Sequence, residues 1–395
     1  MTKKLLMGNE AFAHAALEAG VRVAAGYPGT PSSELIETVA KLHASGAARG
    51  VHVEWSTNEK SALELLAGAS YAGARCLFTC KQVGLNVASD PLMSLNYVGV
   101  KGGLVLFVAD DPGPISSQTE QDTRRFAAFA KMPVLDPSTP DEGFAMMHAA
   151  FDLSERYRTP VIVRPTTRIN HASTFFDVAD ATDARPVPPE GFERDPKWII
   201  FPRRAYQAHG EINERLRAIA QGFHAEPALA AFNPITQTNA SRETGAPRLG
   251  IVAGGVSAAY AREALRMLVE RGVELPAYRF WQVGTPYPFP EETAARFAEG
   301  LDQVLVLEEL DHVLEDELLR FAGRTHAALE VRGRLTGDAR DRGENDVDDI
   351  AARIASFLGV PGAVPDASAA AACDEPLPVR PPVLCAGCPH RGSFY

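Results

Sequence analysis

The sequence predicts an α/β protein with two parallel-sheet units in tandem. Short apolar runs alternate with helical periodicity from residue 8 to about 163, the rhythm breaks over 180–245, and it restarts at Leu249. Strands alternating with helices form a mostly parallel sheet covered on both faces, because each crossover helix returns the chain to the same end of the sheet. At 395 residues the chain is also too long for one ordinary core.

In order, residues 8–20 read as an amphipathic helix with Ala13, Ala16, Leu17 and Ala19 available for packing and Gly20 as its stop. An apolar strand over 21–25 runs into Gly26-Tyr-Pro-Gly-Thr-Pro-Ser-Ser-Glu34, where Thr30 suits an N-cap and Pro31 the first helical position. After a strand over 51–55, Ser56 and Glu59 stand at capping-box spacing ahead of Ala62, Leu63, Leu66 and Ala69. Strands are expected over 76–79, 102–109, 133–135 and 160–163, with a helix over 140–156. Residues 81–86 read as a loop, and 116–122, rich in Gln and Glu, as a mobile polar segment. The first unit is expected over 1–175, then a Pro-rich linker over 176–246 with one helix at about 210–222. The second unit, 247–358, opens with Leu249-Gly-Ile-Val-Ala-Gly-Gly-Val-Ser257 and includes a strand over 303–308 and a helix over 309–322. A Pro/Ala-rich tether over 359–382 follows.

Composition narrows the function. Hydrophobic residues make up 46% and charged residues 23%, the proportions of a soluble globular chain. Against 39 Lys and Arg stand 50 Asp and Glu, a net charge of −11 that argues against nucleic acid, whose phosphates need a basic face. No run approaches the roughly 18 apolar residues of a membrane span, and the N-terminus lacks a signal peptide's apolar stretch. Five unevenly placed cysteines do not make a disulfide framework. Cys76 and Cys80 suit buried thiols, and a cytoplasmic location is expected.

Three motifs carry chemistry. Gly254-Gly-Val-Ser257 suits a phosphate cradle or a plain tight turn, and without G-x-G-x-x-G spacing or a P-loop lysine the turn is favoured. Cys385-x-x-Cys388 has metal-ligand spacing, but a zinc or iron–sulfur site takes about four protein ligands, so the pair is half a site at most. Glu59 has two readings. As a capping carboxylate it satisfies a helix N-terminus, worth about 1 kcal/mol. As an acid it stands among the 27–30 turn, the 81–86 loop and the small flank of Gly68, Ala69, Ser70, Ala72 and Gly73. All are expected at the carboxyl end of one sheet, where ligands sit in open α/β folds. His148 and His171 read as surface residues.

Tyr27-Pro-Gly-Thr-Pro-Ser-Ser-Glu34, Asn58-Glu-Lys60, Gly68-Ala-Ser-Tyr-Ala-Gly73, Lys81-Gln-Val-Gly-Leu-Asn-Val-Ala-Ser-Asp-Pro-Leu92 and Val108-Ala-Asp-Asp-Pro-Gly113 together resemble the 2-oxoacid:ferredoxin oxidoreductases, specifically the alpha subunit of the indolepyruvate type. Gly284-Thr-Pro-Tyr-Pro-Phe-Pro290, Val306-Leu-Glu-Glu-Leu310 and Leu384-Cys-Ala-Gly-Cys-Pro-His-Arg-Gly392 extend the resemblance over nearly the whole chain.

The resemblance implies a thiamine diphosphate enzyme that oxidatively decarboxylates an aryl-2-oxoacid, passes electrons through [4Fe-4S] clusters to ferredoxin and loads the acyl group onto coenzyme A. It implies a pyrimidine-binding domain over 1–175 and a transketolase C-terminal-like domain over 247–358. From 383 it implies the start of a diphosphate-binding domain whose Mg²⁺ ligands are absent from this chain. A beta subunit in a dimer of heterodimers is implied, and the isolated chain is expected to be inactive. By the same resemblance, Glu59 bonds N1′ of the aminopyrimidine and Thr30 lies beside the substrate carbonyl. Pro28, Gly29, Gly84 and Asn86 border the cofactor, Lys81 and Gln82 face the substrate, and Cys385 and Cys388 belong to an incomplete cluster site. Asp111 stands where pyruvate-specific relatives carry an arginine, so the substrate carboxylate must be held otherwise. The alternatives are a non-redox thiamine diphosphate-dependent decarboxylase or acyl transferase, and a non-catalytic fragment that docks a partner.

Overall fold

Alternation along the central strands decides the first sheet. Successive strand residues face opposite sides, so Leu77, Val105 and Phe107 pack with Phe12 and Phe151 on one face. Phe78, Leu104 and Leu106 pack with Leu63, Leu66 and Leu92 on the other. The computed structural model, which describes residues 1–238 and 248–360, builds these strands into a six-stranded sheet. Its order is His52–Trp55, Val23–Gly26, Cys76–Lys81, Leu104–Ala109, Val161–Val163 and Val134–Leu135, all parallel. Helices Gly8–Glu18 and Pro140–Tyr157 cover one face, and Glu59–Tyr71 and Gly84–Val98 the other.

The second sheet has five strands, in the order Ile235–Gln237, Tyr278–Val283, Leu249–Gly254, Gln303–Leu307 and Glu330–Arg332. Only the Ile235–Gln237 edge runs antiparallel. Gly254-Gly255-Val256-Ser257 is the tight turn from strand to helix Val256–Glu270, with Gly255 at φ 51°. A Cβ on Gly255 would sit 3.0 Å from an oxygen of Asp136, so the turn packs closely against that carboxylate.

Several expectations are corrected. The described part of the 176–246 stretch, residues 176–238, is more than a linker with one helix. Strand Ser173–Val178 pairs antiparallel with Thr2–Met7, helix Pro202–Ala225 buries Ile219 and Phe223 in the first core, and Ile235–Gln237 joins the second sheet. The helix expected from 309 begins at Val313. Leu310 is left-handed at φ 63°, and the Glu308 carboxylate accepts from the backbone N–H groups of Leu314 and Glu315, so Glu308 caps the helix from outside it.

The two sheets meet through backbone and charge. Val134 N donates to Tyr287 O at 2.7 Å and Asp136 N to Gly284 O at 2.8 Å. Behind them lies a buried ionic lattice. Arg124 pairs with Asp122 at 2.6 Å and Glu308 at 2.8 Å, and Arg164 with Asp110 at 2.7 Å and Asp136 at 3.1 Å. Arg124 also donates to the carbonyls of Glu309 and Asp311. Planar guanidinium suits such multidentate work in a dry setting.

Candidate functional site: a carboxylate at the sheet's carboxyl end

Strands Val23–Gly26, His52–Trp55 and Cys76–Lys81 end side by side, since they are adjacent and parallel. The segments following them therefore converge: the 27–30 turn, Glu59 at the start of its helix, and Lys81 to Asn86. Glu59 is not a capping-box carboxylate. Asn58 is the N-cap, its side chain accepting from Ser61 N at 2.9 Å, and Glu59 is the first helical residue. Ser56 turns instead to Glu54. Asn58 thus does the capping that the Ser56–Glu59 spacing suggested, which leaves the Glu59 carboxyl for other work.

Glu59 is 9% exposed. Burial raises its pKa above the ordinary carboxyl value, while its own backbone N–H and the Lys81 charge pull the other way. The carboxyl packs against Gly84: a Cβ there would lie 2.6 Å from Glu59 Oε1 and 2.9 Å from Cys80 Cβ. Cys80, behind it, is held protonated by burial and by the Glu59 and Asp110 charges.

Gly84 and Asn86 are not in a loop. Helix Gly84–Val98 begins directly after the strand, and both residues lie in its first turn. Thr30 is not an N-cap either. The next helix, Ser33–Ala44, follows a turn in which Ser32 N and Oγ both donate to Gly29 O at 2.8 Å. Thr30 and Pro28 are exposed in that turn. Gly29 lies against the Lys81 stem, with a Cβ position 3.0 Å from Lys81 Cγ.

The polar segment after Pro112 is tied across the site. Lys81 Nζ donates to Gln118 Oε1 at 3.4 Å, Gln82 Nε2 to Thr119 O at 3.3 Å, Asn86 Nδ2 to Gln121 Oε1 at 3.1 Å, and Ser116 Oγ to Thr30 O at 3.1 Å. The structure thus brings Gly29, Thr30, Glu59, Lys81, Gln82, Gly84 and Asn86 into one contact network. Sequence reasoning missed Gln118, Thr119 and Gln121, which carry no local signal. It also missed Asn58, whose signal, a favoured cap residue before the first helical turn, was available. Asp111 is 1% exposed and its carboxylate accepts from Thr167 Oγ1 at 2.7 Å and Ser116 N at 2.9 Å.

One feature fits the pyrimidine end of thiamine diphosphate: the buried carboxyl held against a bare glycine. Beside it the buried Gln82 Oε1 has no hydrogen-bond partner among the described residues and is left for a ligand. Among the described residues no group of three or more His, Cys, Asp and Glu side chains is arranged to hold a metal. Cys385 and Cys388 lie outside the described residues.

Residues 14–186 match the family described as pyruvate flavodoxin/ferredoxin oxidoreductase, thiamine diphosphate-binding. Residues 14–186 thus match one class, the parallel-sheet thiamine diphosphate-binding domains of these oxidoreductases. Within that class the whole chain resembles the indolepyruvate oxidoreductase subunit IorA. It is 39% identical to the protein of that name from Methanothermobacter thermautotrophicus, covering 100% of this chain and 60% of the relative. For the Thermococcus kodakarensis protein the figures are 38%, 99% and 58%. The chain therefore spans about 60% of the length of these relatives. In fold it is similar to a 2-oxoglutarate:ferredoxin oxidoreductase from Magnetococcus marinus, with TM-score 0.68 and 16% identity, covering 90% of this chain and 65% of that one. It is also similar to a split-gene transketolase, with TM-score 0.55 and 16% identity, covering 90% and 99%.

Proposed function

We propose that this chain supplies the pyrimidine-binding half of the site in an indolepyruvate-type 2-oxoacid:ferredoxin oxidoreductase. The observation that carries this reading is the buried Glu59 carboxyl against Gly84 at the carboxyl end of the parallel sheet. The substrate is an aryl-2-oxoacid. Carbon dioxide leaves, the acyl group passes to the coenzyme A thiol to give an arylacetyl-CoA, and a proton and an electron pair are released, the electrons going to ferredoxin. When bound, thiamine diphosphate supplies the carbon nucleophile and electron sink that decarboxylation requires. Glu59 holds and exchanges the proton at the pyrimidine N1′, a task suited to a carboxyl with raised pKa. Gly84 lets it approach, Pro28, Gly29 and Asn86 border the cofactor, and Thr30 and Gln82 present polar atoms to the substrate side.

A beta subunit, further [4Fe-4S] and Mg²⁺ ligands outside the described residues, and assembly as a dimer of heterodimers in the cytoplasm complete the proposal. Cys385 and Cys388 are offered to a cluster as a partial ligand pair. No helix among the described residues is long and apolar enough to cross a membrane. The test is ferredoxin reduction by the complete complex with indolepyruvate, phenylpyruvate, pyruvate and 2-oxoglutarate. Turnover with the aryl acids dependent on thiamine diphosphate and coenzyme A supports the reading, and a preference for pyruvate or 2-oxoglutarate refutes the aryl assignment.

A further inference from the structure

We infer that Lys81 is the specificity-determining cation of this site, its ammonium taking the carboxylate of a monocarboxylic 2-oxoacid. The inference rests on the functional reading above and deepens it. Asp111 cannot serve, being negative, buried and committed to Thr167 and Ser116. Lys81 ends the Cys76–Lys81 strand, so its backbone is fixed by the sheet, and its stem is fixed by Gly29. Its ammonium makes only the 3.4 Å contact with Gln118 and no ion pair among the described residues. The nearby Lys60, by contrast, pairs with Asp90 at 2.7 Å.

The position is also suitable. Lys81 acts electrostatically on Glu59, contacts the turn that carries Thr30, and touches the 116–121 segment. A carboxylate held there by a charge-assisted hydrogen bond brings the adjoining ketone to the neighbourhood of Thr30 and Glu59. Ile115, 58% exposed beside Ser116, offers apolar surface for the rest of the substrate. One ammonium and an apolar neighbour suit a 2-oxoacid with an uncharged side chain. A dicarboxylic 2-oxoacid would bring a second charge without a partner.

The test uses Lys81→Met and Lys81→Arg in the complete oxidoreductase. For each variant, KM and kcat for indolepyruvate, the affinity for thiamine diphosphate, and inhibition by indolepyruvate methyl ester are measured. Lys81→Met should raise KM about 10- to 100-fold, the loss expected for one charged hydrogen bond. Cofactor affinity and inhibition by the uncharged ester should stay within about twofold, and Lys81→Arg should recover most of the loss. An unchanged KM in Lys81→Met overturns the inference while the thiamine reading stands. A parallel loss of cofactor affinity also overturns it, assigning Lys81 to the cofactor instead. A wild-type complex that binds no thiamine diphosphate overturns both.

Discussion

The Glu59 carboxyl rests on the backbone of Gly84, so near that a single added carbon would come within 2.6 Å of Oε1. Gly84→Ala should therefore displace the carboxyl rather than fill space. We expect an overpacking cost of about 1–3 kcal/mol in denaturant unfolding, with thiamine diphosphate affinity and turnover each reduced at least about tenfold. An alanine variant with unchanged turnover would separate Gly84 from the site.

Glu59→Gln tests the acid itself. Because Asn58 supplies the cap, the substitution should leave the thermal midpoint nearly unchanged and reduce kcat in the complete enzyme by about 10²–10⁴-fold, the range for a lost proton-transfer group. Asn58→Ala is the counterpart, costing about 1 kcal/mol of stability with the carboxyl still present. If Glu59→Gln loses stability while turnover persists, Glu59 is a structural residue.

How far this arrangement could be read from sequence depends on the range of the interactions. The strands of the first sheet announce themselves because runs such as Cys76–Lys81 and Leu104–Ala109 are apolar on both faces. The site's convergence followed from their parallel order. Ser56 and Glu59 imitate a capping box, although Asn58, itself a favoured cap residue, stands directly before the first helical residue. Thr2–Met7 escaped notice because its pairing partner lies at Ser173–Val178. The ionic lattice was invisible for the same reason, since Arg124 and Glu308 stand far apart in the chain.

Arg124 is buried with Asp122 and Glu308. Arg124→Met would leave two carboxylates without their counter-charge, a cost of about 3–5 kcal/mol, measurable by denaturant unfolding. Lysine should rescue poorly, since one ammonium cannot reproduce the guanidinium's contacts with Asp122, Glu308 and the two carbonyls. A Met variant as stable as wild type would show the lattice to be dispensable.

Glu309 yields a pH prediction. Burial pushes its carboxyl up to about 7 from an ordinary 4.5. With the folded value above the unfolded one, the folded state holds a proton that the unfolded state releases between these limits. Its contribution is therefore full below about pH 4.5 and is lost as pH rises through about 7. Glu309→Gln keeps an oxygen to accept from Asn345 N and removes the titration. The variant's melting temperature should fall less than wild type's as pH rises from 4.5 to about 7, the window set by the two pKa values. Parallel curves would assign the pH dependence elsewhere.

Asp110 and Asp122 bracket the segment that crosses the site, and each is locked to a buried arginine. The span between its two ends is thus set before any ligand arrives. Only the intervening residues have to readjust on binding, which limits the entropy lost at that moment. The same framing makes the crossing segment evolvable. Its central side chains can be exchanged to suit a different substrate while the anchors, and the two sheets they join, stay as they are.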